Sequence, residues 1–296
     1  MEYIPAKRLL IRNRDTGWFG TDYTLNLYRG CCHGCLYCDS RSDCYQIEKF
    51  DQVRAKADAL RILRDDLARK IRPAFIATGS MSDPYNPFEE ELRLTRHALE
   101  LIDAYDCGVA IATKSDLIVR DIDILTSIQI HSPVICKFTV TTADDALAAK
   151  LEPQAPPPSR RLEALKRLSE AGLFAGVLLM PVLPFLEDGD ESVLAVVEGA
   201  AQAGARFLYP ALGVTMRQGQ REYFLDGLER AFPGRGLKKR YLRQYGDRYQ
   251  CASPRARALW KVFTNACRER RILYDMKSII RAATLGYEDR QLTFFD

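Results

Sequence analysis

The chain has 296 residues, 47% hydrophobic and 28% charged, with a net charge of +4. That length allows one large α/β domain or two smaller ones, and the composition excludes a fibrous or disordered chain. No run approaches the roughly 20 apolar residues of a membrane span; "LFAGVLLMPVLPFL" at Leu173–Leu186 is too short and holds two prolines. The N-terminal "MEYIPAKRLLIRNRD" lacks the apolar core and cleavage site of a secretory signal, so a cytoplasmic protein with no membrane partner is expected.

Along the chain, short β-rich apolar runs alternate with longer amphipathic stretches. The expected strands are Tyr23–Tyr28, Ala74–Thr78, Gly108–Thr113, Val134–Thr142, Ala175–Met180 and Arg206–Leu212. Between them the periodicity predicts helices over Asp51–Lys70, Glu89–Tyr105, Arg120–Ile130, Arg160–Ala171 and Glu191–Ala203. Ser159, after the turn-rich "PQAPPPS", is the expected N-cap of the fourth helix, and Gly172 and Gly204 mark helix ends. Six strands alternating with helices imply a parallel sheet with crossovers, whose chemistry sits in loops at the strands' C-terminal ends. Polar motifs fall in those loops: the cysteine cluster after the first run, "GSMSDP" after the second, "KSD" after the third and "TTADD" after the fourth. The division this suggests is an N-terminal extension over 1–22, a β/α body over 23–222 and a helical C-terminal region over 223–296.

Four of the nine cysteines lie in "GCCHGCLYCDSR" at Gly30–Arg41. Cys31, Cys35 and Cys38 form C-x3-C-x2-C, a spacing that lets three thiolates converge on one iron–sulfur cluster. Three ligands on a four-iron cube leave one iron open to a small molecule. Gly34 allows a tight turn, and Tyr37 places a ring before the last cysteine. The competing reading is a zinc site completed by Cys32, His33 or Cys44, although the paired knuckle usual for zinc is missing. Cys107, Cys136, Cys251 and Cys267 have no close partner in sequence and read as buried small hydrophobes.

The three-cysteine spacing with its preceding aromatic resembles the signature of the radical S-adenosylmethionine (radical SAM) superfamily. "NLYRGCCHGCLYC", "SDPYNPFE", "ATKSDLI" and "GVLLMPVLPFLED" are similar to its spore photoproduct lyase branch over Tyr23–Asp188. Together with "SPRARALW" and a terminal "QLTFF", the chain resembles most the mobile pair protein B group, which is encoded beside a second radical SAM protein. The resemblance implies a partial (β/α)6 TIM-type barrel with a basic helical C-terminal extension, and an enzyme that uses a [4Fe-4S] cluster and SAM. It assigns the cluster to Cys31, Cys35 and Cys38. It places SAM against Tyr37, Ser82, Asp83, Lys114 and Thr139, and gives Glu152 and Arg161 a support or substrate role. It also implies an electron donor such as flavodoxin or ferredoxin, and a partner that is the second radical SAM protein. Lyases proper carry a hydrogen-donor cysteine where this chain has Ser80. A serine O–H is too strong to quench a carbon radical, so the lyase route to DNA repair needs another thiol, with Cys32 and Cys44 as candidates.

Charge is unevenly spread. Arg217–Arg281 carries 17 Lys/Arg against 6 Asp/Glu, a net of +11, while the remaining 26 basic and 33 acidic residues leave −7. In "RGLKKRYLRQYGDRYQ", Lys238, Lys239, Arg240 and Arg243 alternate with Tyr241, Tyr245 and Tyr249, a pattern suited to phosphates and stacked bases of DNA or RNA. The bland alternative is a solvated helix with its tyrosines turned inward. A nucleic-acid substrate is therefore expected, with a peptide or partner protein as the alternative.

Overall fold

The computed structural model describes residues 1–69 and 73–287. The end of the expected helix at Lys70, the "QLTFF" segment and the last residues of the 223–296 region lie outside these.

In chain order the strands are β1 (Glu2–Ile4), β2 (Leu10–Arg12), β3 (Tyr23–Leu25), β4 (Tyr28–Arg29), β5 (Arg54–Lys56), β6 (Phe75–Thr78), β7 (Gly108–Thr113), β8 (Val134–Thr139), β9 (Phe174–Leu179), β10 (Phe207–Pro210), β11 (Gly213–Thr215) and β12 (Gln250–Ala252). Strands β3, β6, β7, β8, β9 and β10 lie parallel and side by side in sequence order, with β2 antiparallel at the β3 edge. Every crossover carries a helix, which is the expected β/α succession, and the edges β2 and β10 do not meet. The barrel is open.

Side chains on these strands alternate strictly. Val134, Cys136 and Phe138 of β8 enter the main core against the helices, while Ile135 enters the lumen. The lumen's floor is packed by Phe75, Ile135, Phe174 and Phe207, and Phe19 of the N-terminal segment plugs it at 0% exposure. Ile279 and Ala283 of helix Met276–Thr284 seal it from outside. Lys137, on the lumen face of β8, holds its Nζ 4.4 Å from the centre of the Phe19 ring. Burial pulls its pKa down to about 7.

Several local expectations change. The expected strand Tyr23–Tyr28 splits into β3 and β4, which belong to different sheets, and the expected helix Glu89–Tyr105 breaks at Arg93, with positive φ, into helices Glu89–Leu92 and Leu94–Ala104. Asp51–Lys70 is not one helix: Arg54–Lys56 forms β5, between β1 and β4, and the helix runs Ala59–Ala68. Backbone pairing wins there because only Ala55 of the three is buried. The helix expected from Arg160 is capped by Pro157 and begins at Pro158, whose missing N–H costs nothing in a first turn. Ser159 lies inside the helix and donates its hydroxyl to Asp145 Oδ2 at 2.6 Å. Gly172 and Gly204 do follow helix ends, both with positive φ.

The C-terminal region is helical, as expected, but it is no appendage. Helix Ala256–Glu269 buries Leu259, Phe263 and Cys267 in the main core, where Val193 and Val197 of helix Asp190–Gln202 also lie. Helices Gln220–Ala231 and Leu237–Tyr245 share a second core with Cys35, Leu36 and Tyr37 of the cysteine loop. Cys107, Cys136, Cys251 and Cys267 are all buried, as the sequence suggests.

Candidate active site

The loops leaving the parallel strands enclose a cavity of about 300 Å³. Cys31, Cys35, Cys38, Tyr37, Ser80, Ser82, Asp83, Lys114 and Thr139 all line it, although 108 residues separate the first from the last. Cys32 does not. It is half-buried against the main core, outside the cavity lining. Ser80 stands at the mouth, with its hydroxyl 3.2 Å from Asn26 Oδ1.

The cysteine loop is anchored on both sides. Cys31 N donates to Phe50 O at 2.9 Å, and Leu36 N donates to Leu151 O at 2.9 Å. Gly34 adopts φ +69°, the tight turn the spacing needs. Gly79, where β6 turns into the next loop at φ +83°, passes so close to β7 that a Cβ would strike the Ala112 carbonyl oxygen.

Two buried networks hold the walls. Asp83 accepts from Tyr85 N (2.9 Å) and Thr113 Oγ1 (2.6 Å) on one oxygen and from Lys114 N (2.8 Å) on the other. His33 Nε2 lies 3.0 Å from that second oxygen, within ion-pair reach but outside hydrogen-bond geometry. Burial opposes the Asp83 charge, yet the neighbouring His33 and the hydrogen bonds outweigh it and hold the carboxyl at about 2. Asp83 is thus spent as a brace joining the second and third loops to the cysteine loop. In the second network the Tyr37 hydroxyl donates to Glu152, and Glu152 is paired with Arg161. Arg161 also donates to the carbonyls of Thr139 (2.9 Å) and Pro156 (2.7 Å). Glu152 and Arg161 are each about 1% exposed, so their part is support. The Lys114 ammonium lies 5.5 Å from the centre of the Tyr37 ring. Burial works against its charge, but the surrounding thiols and Glu152 raise its pKa above the ordinary value.

What the cavity lacks is as specific as what it holds. Ser82 Oγ is buried at its wall with no hydrogen-bond partner, a group a polar ligand satisfies. Burial pushes the Cys31 thiol up to about 12 and raises Cys35 and Cys38 too, so the three stay neutral until a cation arrives. Among the described residues, no three His, Cys, Asp or Glu side chains close on a single metal ion. A four-iron cube asks for something different: thiols standing apart around a body several ångström wide. The donor set fits the cluster better than it fits zinc.

The basic tail is placed elsewhere. Tyr241 and Tyr245 point into the second core at 0% and 6% exposure, and only Tyr249 of the three rings is exposed. Lys238 pairs with Asp226 at 2.6 Å, and Arg240 stacks on Phe185 at 4.0 Å. Lys239 and Arg243 are exposed, and none of the four basic residues lines the cavity. The sequence missed Asp39 and Thr215, which do line it, because only the fold brings them together across 176 residues.

An open parallel barrel with a three-thiol loop over the C-terminal ends of its strands defines an iron–sulfur enzyme of the radical class. The sequence profile of the radical SAM superfamily matches residues 25–197, and the chain belongs to that superfamily. The uncharacterized protein Rv2578c of Mycobacterium tuberculosis is 31% identical over 230 residues, covering 75% of this chain and 67% of its own. The uncharacterized protein MJ0683 of Methanocaldococcus jannaschii is 33% identical over 172 residues, covering 57% and 63%. Spore photoproduct lyase complexed with dinucleoside spore photoproduct has a TM-score of 0.64 at 14% identity, covering 92% of this chain and 81% of that one. The radical SAM methyltransferase TsrM from Kitasatospora setae, with tryptophan bound, has a TM-score of 0.57 at 11% identity, covering 89% and 58%. At such identities the likeness is one of fold. The superfamily uses a [4Fe-4S] cluster and SAM, and one of the lyase structures contains bound AdoMet.

Proposed function

We propose that Cys31, Cys35 and Cys38 hold the [4Fe-4S] cluster, that SAM lies against Tyr37, Ser82, Lys114 and Thr139, and that the enzyme modifies nucleic acid. The observation that carries this reading is the meeting of three thiols, an unpartnered hydroxyl and an ammonium in one cavity. When bound, cluster and SAM together supply a 5′-deoxyadenosyl radical, which takes a hydrogen atom from the substrate. The chain's own part is to bind, orient and exclude water. Lys114 offers a point charge to a carboxylate, and the Asp83 brace keeps the Lys114 backbone in register with the cysteine loop. Tyr37, pinned by Glu152, presents a rigid ring rather than a mobile one.

Two observations support nucleic acid as substrate: the fold it shares with a protein that binds a dinucleoside, and the net charge of +11 over Arg217–Arg281. Ser80 supplies no thiol, Cys32 and Cys44 do not line the cavity, and Cys31, Cys35 and Cys38 are committed to the cluster. The reading that follows is modification of a base or sugar, not repair that returns a hydrogen atom from a cavity thiol.

The test is anaerobic reconstitution followed by 5′-deoxyadenosine measurement with DNA, RNA and peptide. Stimulation by an oligonucleotide is expected. Stimulation by peptide alone, or by the second radical SAM protein alone, moves the substrate to protein. No 5′-deoxyadenosine under dithionite overturns the chemistry.

A further inference from the structure

We infer that Arg217, flanked by Tyr45 and Tyr249, forms a phosphodiester subsite at the cavity mouth, where it grips the strand beside the nucleotide under reaction. The inference rests on the nucleic-acid reading above and assigns it to residues that the basic-tail expectation left out.

Asp39 follows the third cysteine and lines the cavity, as does Thr215 of β11. Arg217 stands two residues beyond Thr215, and its Nε is 3.3 Å from Asp39 Oδ1. A single carboxylate therefore separates the guanidinium from the cavity wall. The guanidinium is also accessible, its side chain being 37% exposed.

Its hydrogen bonds are of a kind that phosphate displaces. One terminal nitrogen donates to the Cys44 thiol at 3.3 Å and the other to the Tyr249 hydroxyl at 2.7 Å. Nε is buried and lacks a hydrogen bond of good geometry despite its closeness to Asp39. A thiol and a phenol are weak acceptors beside a phosphate, whose oxygens match the planar fork two at a time. Asp39 loses little when Arg217 turns away, because it keeps donors in the Tyr45 hydroxyl (3.0 Å) and the Thr215 hydroxyl (3.1 Å).

The surroundings suit a strand rather than a free anion. The guanidinium carbon lies 4.7 Å from the ring centre of Tyr249 and 5.7 Å from that of Tyr45. Tyr249 is 43% exposed, so an aromatic face beside the cation is open to a base, as in single-strand binding proteins. The support is rigid. Arg221 staples the turn that carries Tyr249 by donating to the carbonyls of Met216 (3.1 Å), Gly246 (2.5 Å) and Arg248 (2.7 Å). Arg221 is fully spent and is structural; Arg217, with exchangeable partners, is not.

The experiment is fluorescence anisotropy of single-stranded DNA and RNA oligonucleotides with the reconstituted protein over a salt series. Arg217→Ala is expected to weaken binding about 10-fold and to lower the slope of log K against log salt by about 0.7, the loss of one phosphate contact. Arg217→Lys, which keeps the charge and loses the fork, falls between that and the parent. Tyr249→Ala is expected to weaken binding by a similar factor with the slope unchanged, the signature of a lost stack. Melting curves and iron content show that each variant is folded and loaded. If Arg217→Ala and Arg217→Lys both bind as the parent does while Lys239→Ala/Arg243→Ala loses affinity, the subsite is overturned and the nucleic-acid reading stands. If the parent itself binds no strand, both fall.

Discussion

The two ends of the barrel are built from the same six strands and do opposite work. At the floor, Phe19, Phe75, Phe174 and Phe207 fill the lumen; the Phe174 and Phe207 rings are stacked 5.4 Å apart. At the mouth, on the same lumen faces a few residues further on, stand Ala112, Thr139 and Met180 around open space. Burial at the floor is apolar and satisfied, whereas at the mouth it leaves Ser82 without a partner and three thiols protonated. Free energy is stored differently at the two ends: the floor stabilises the fold, and the mouth holds groups that a ligand satisfies.

That division can be broken from either side. Cys35→Ala is expected to abolish SAM cleavage and cluster absorbance while leaving the melting temperature of the unloaded protein within a few degrees; intact cleavage would overturn the ligand assignment. Between the two ends, Lys137 is a polar intrusion in an apolar lumen. Its folded pKa of about 7 lies below the 10.5 of a free lysine, so the folded state binds fewer protons and parent stability rises as pH climbs from 7 to 10. Lys137→Met therefore gains over the parent by up to about 5 kcal/mol at neutral pH, a gain that shrinks toward pH 10; denaturant melts at both pH values check it, and a pH-independent difference would refute it. Glu152→Gln leaves Arg161 charged, buried and without an anionic partner, at a cost of about 4 kcal/mol in urea unfolding, while the amide oxygen can still accept from the Tyr37 hydroxyl. Phe19→Ala opens a hole in the floor worth about 3 kcal/mol, with SAM cleavage retained below the lowered melting temperature. Smallest of all, Lys239→Ala and Arg243→Ala should each shift stability by less than about 0.5 kcal/mol, since both side chains are exposed.

Legibility in the sequence follows the range of the interaction. The six parallel strands were readable because each is a run of apolar, β-branched residues between turn signals, and most are buried along nearly their whole length. Strands β1, β2, β4 and β5 were not, because two or three residues with exposed faces carry no period. The cysteine loop was readable because its ligating pattern is local. Asp83 shows the limit: spacing marks it as polar and at a strand end, but only the fold reveals that Tyr85, Thr113, Lys114 and His33 already occupy it. The tail misleads for the same reason, since alternation of Arg and Tyr in Leu237–Tyr245 reads alike whether the rings face bases or, as here for two of them, a core.

The pairing of β11 with β12 has a consequence for biosynthesis. Gly213–Thr215 forms part of the cavity wall, and it is held there by Gln250–Ala252, far along the chain. A nascent polypeptide that has emerged only through β10 carries all three thiols and all six parallel strands, yet its cysteine loop has neither that wall nor the backing of helix Gln220–Ala231. The cavity wall is complete only once Gln250–Ala252 has paired with Gly213–Thr215.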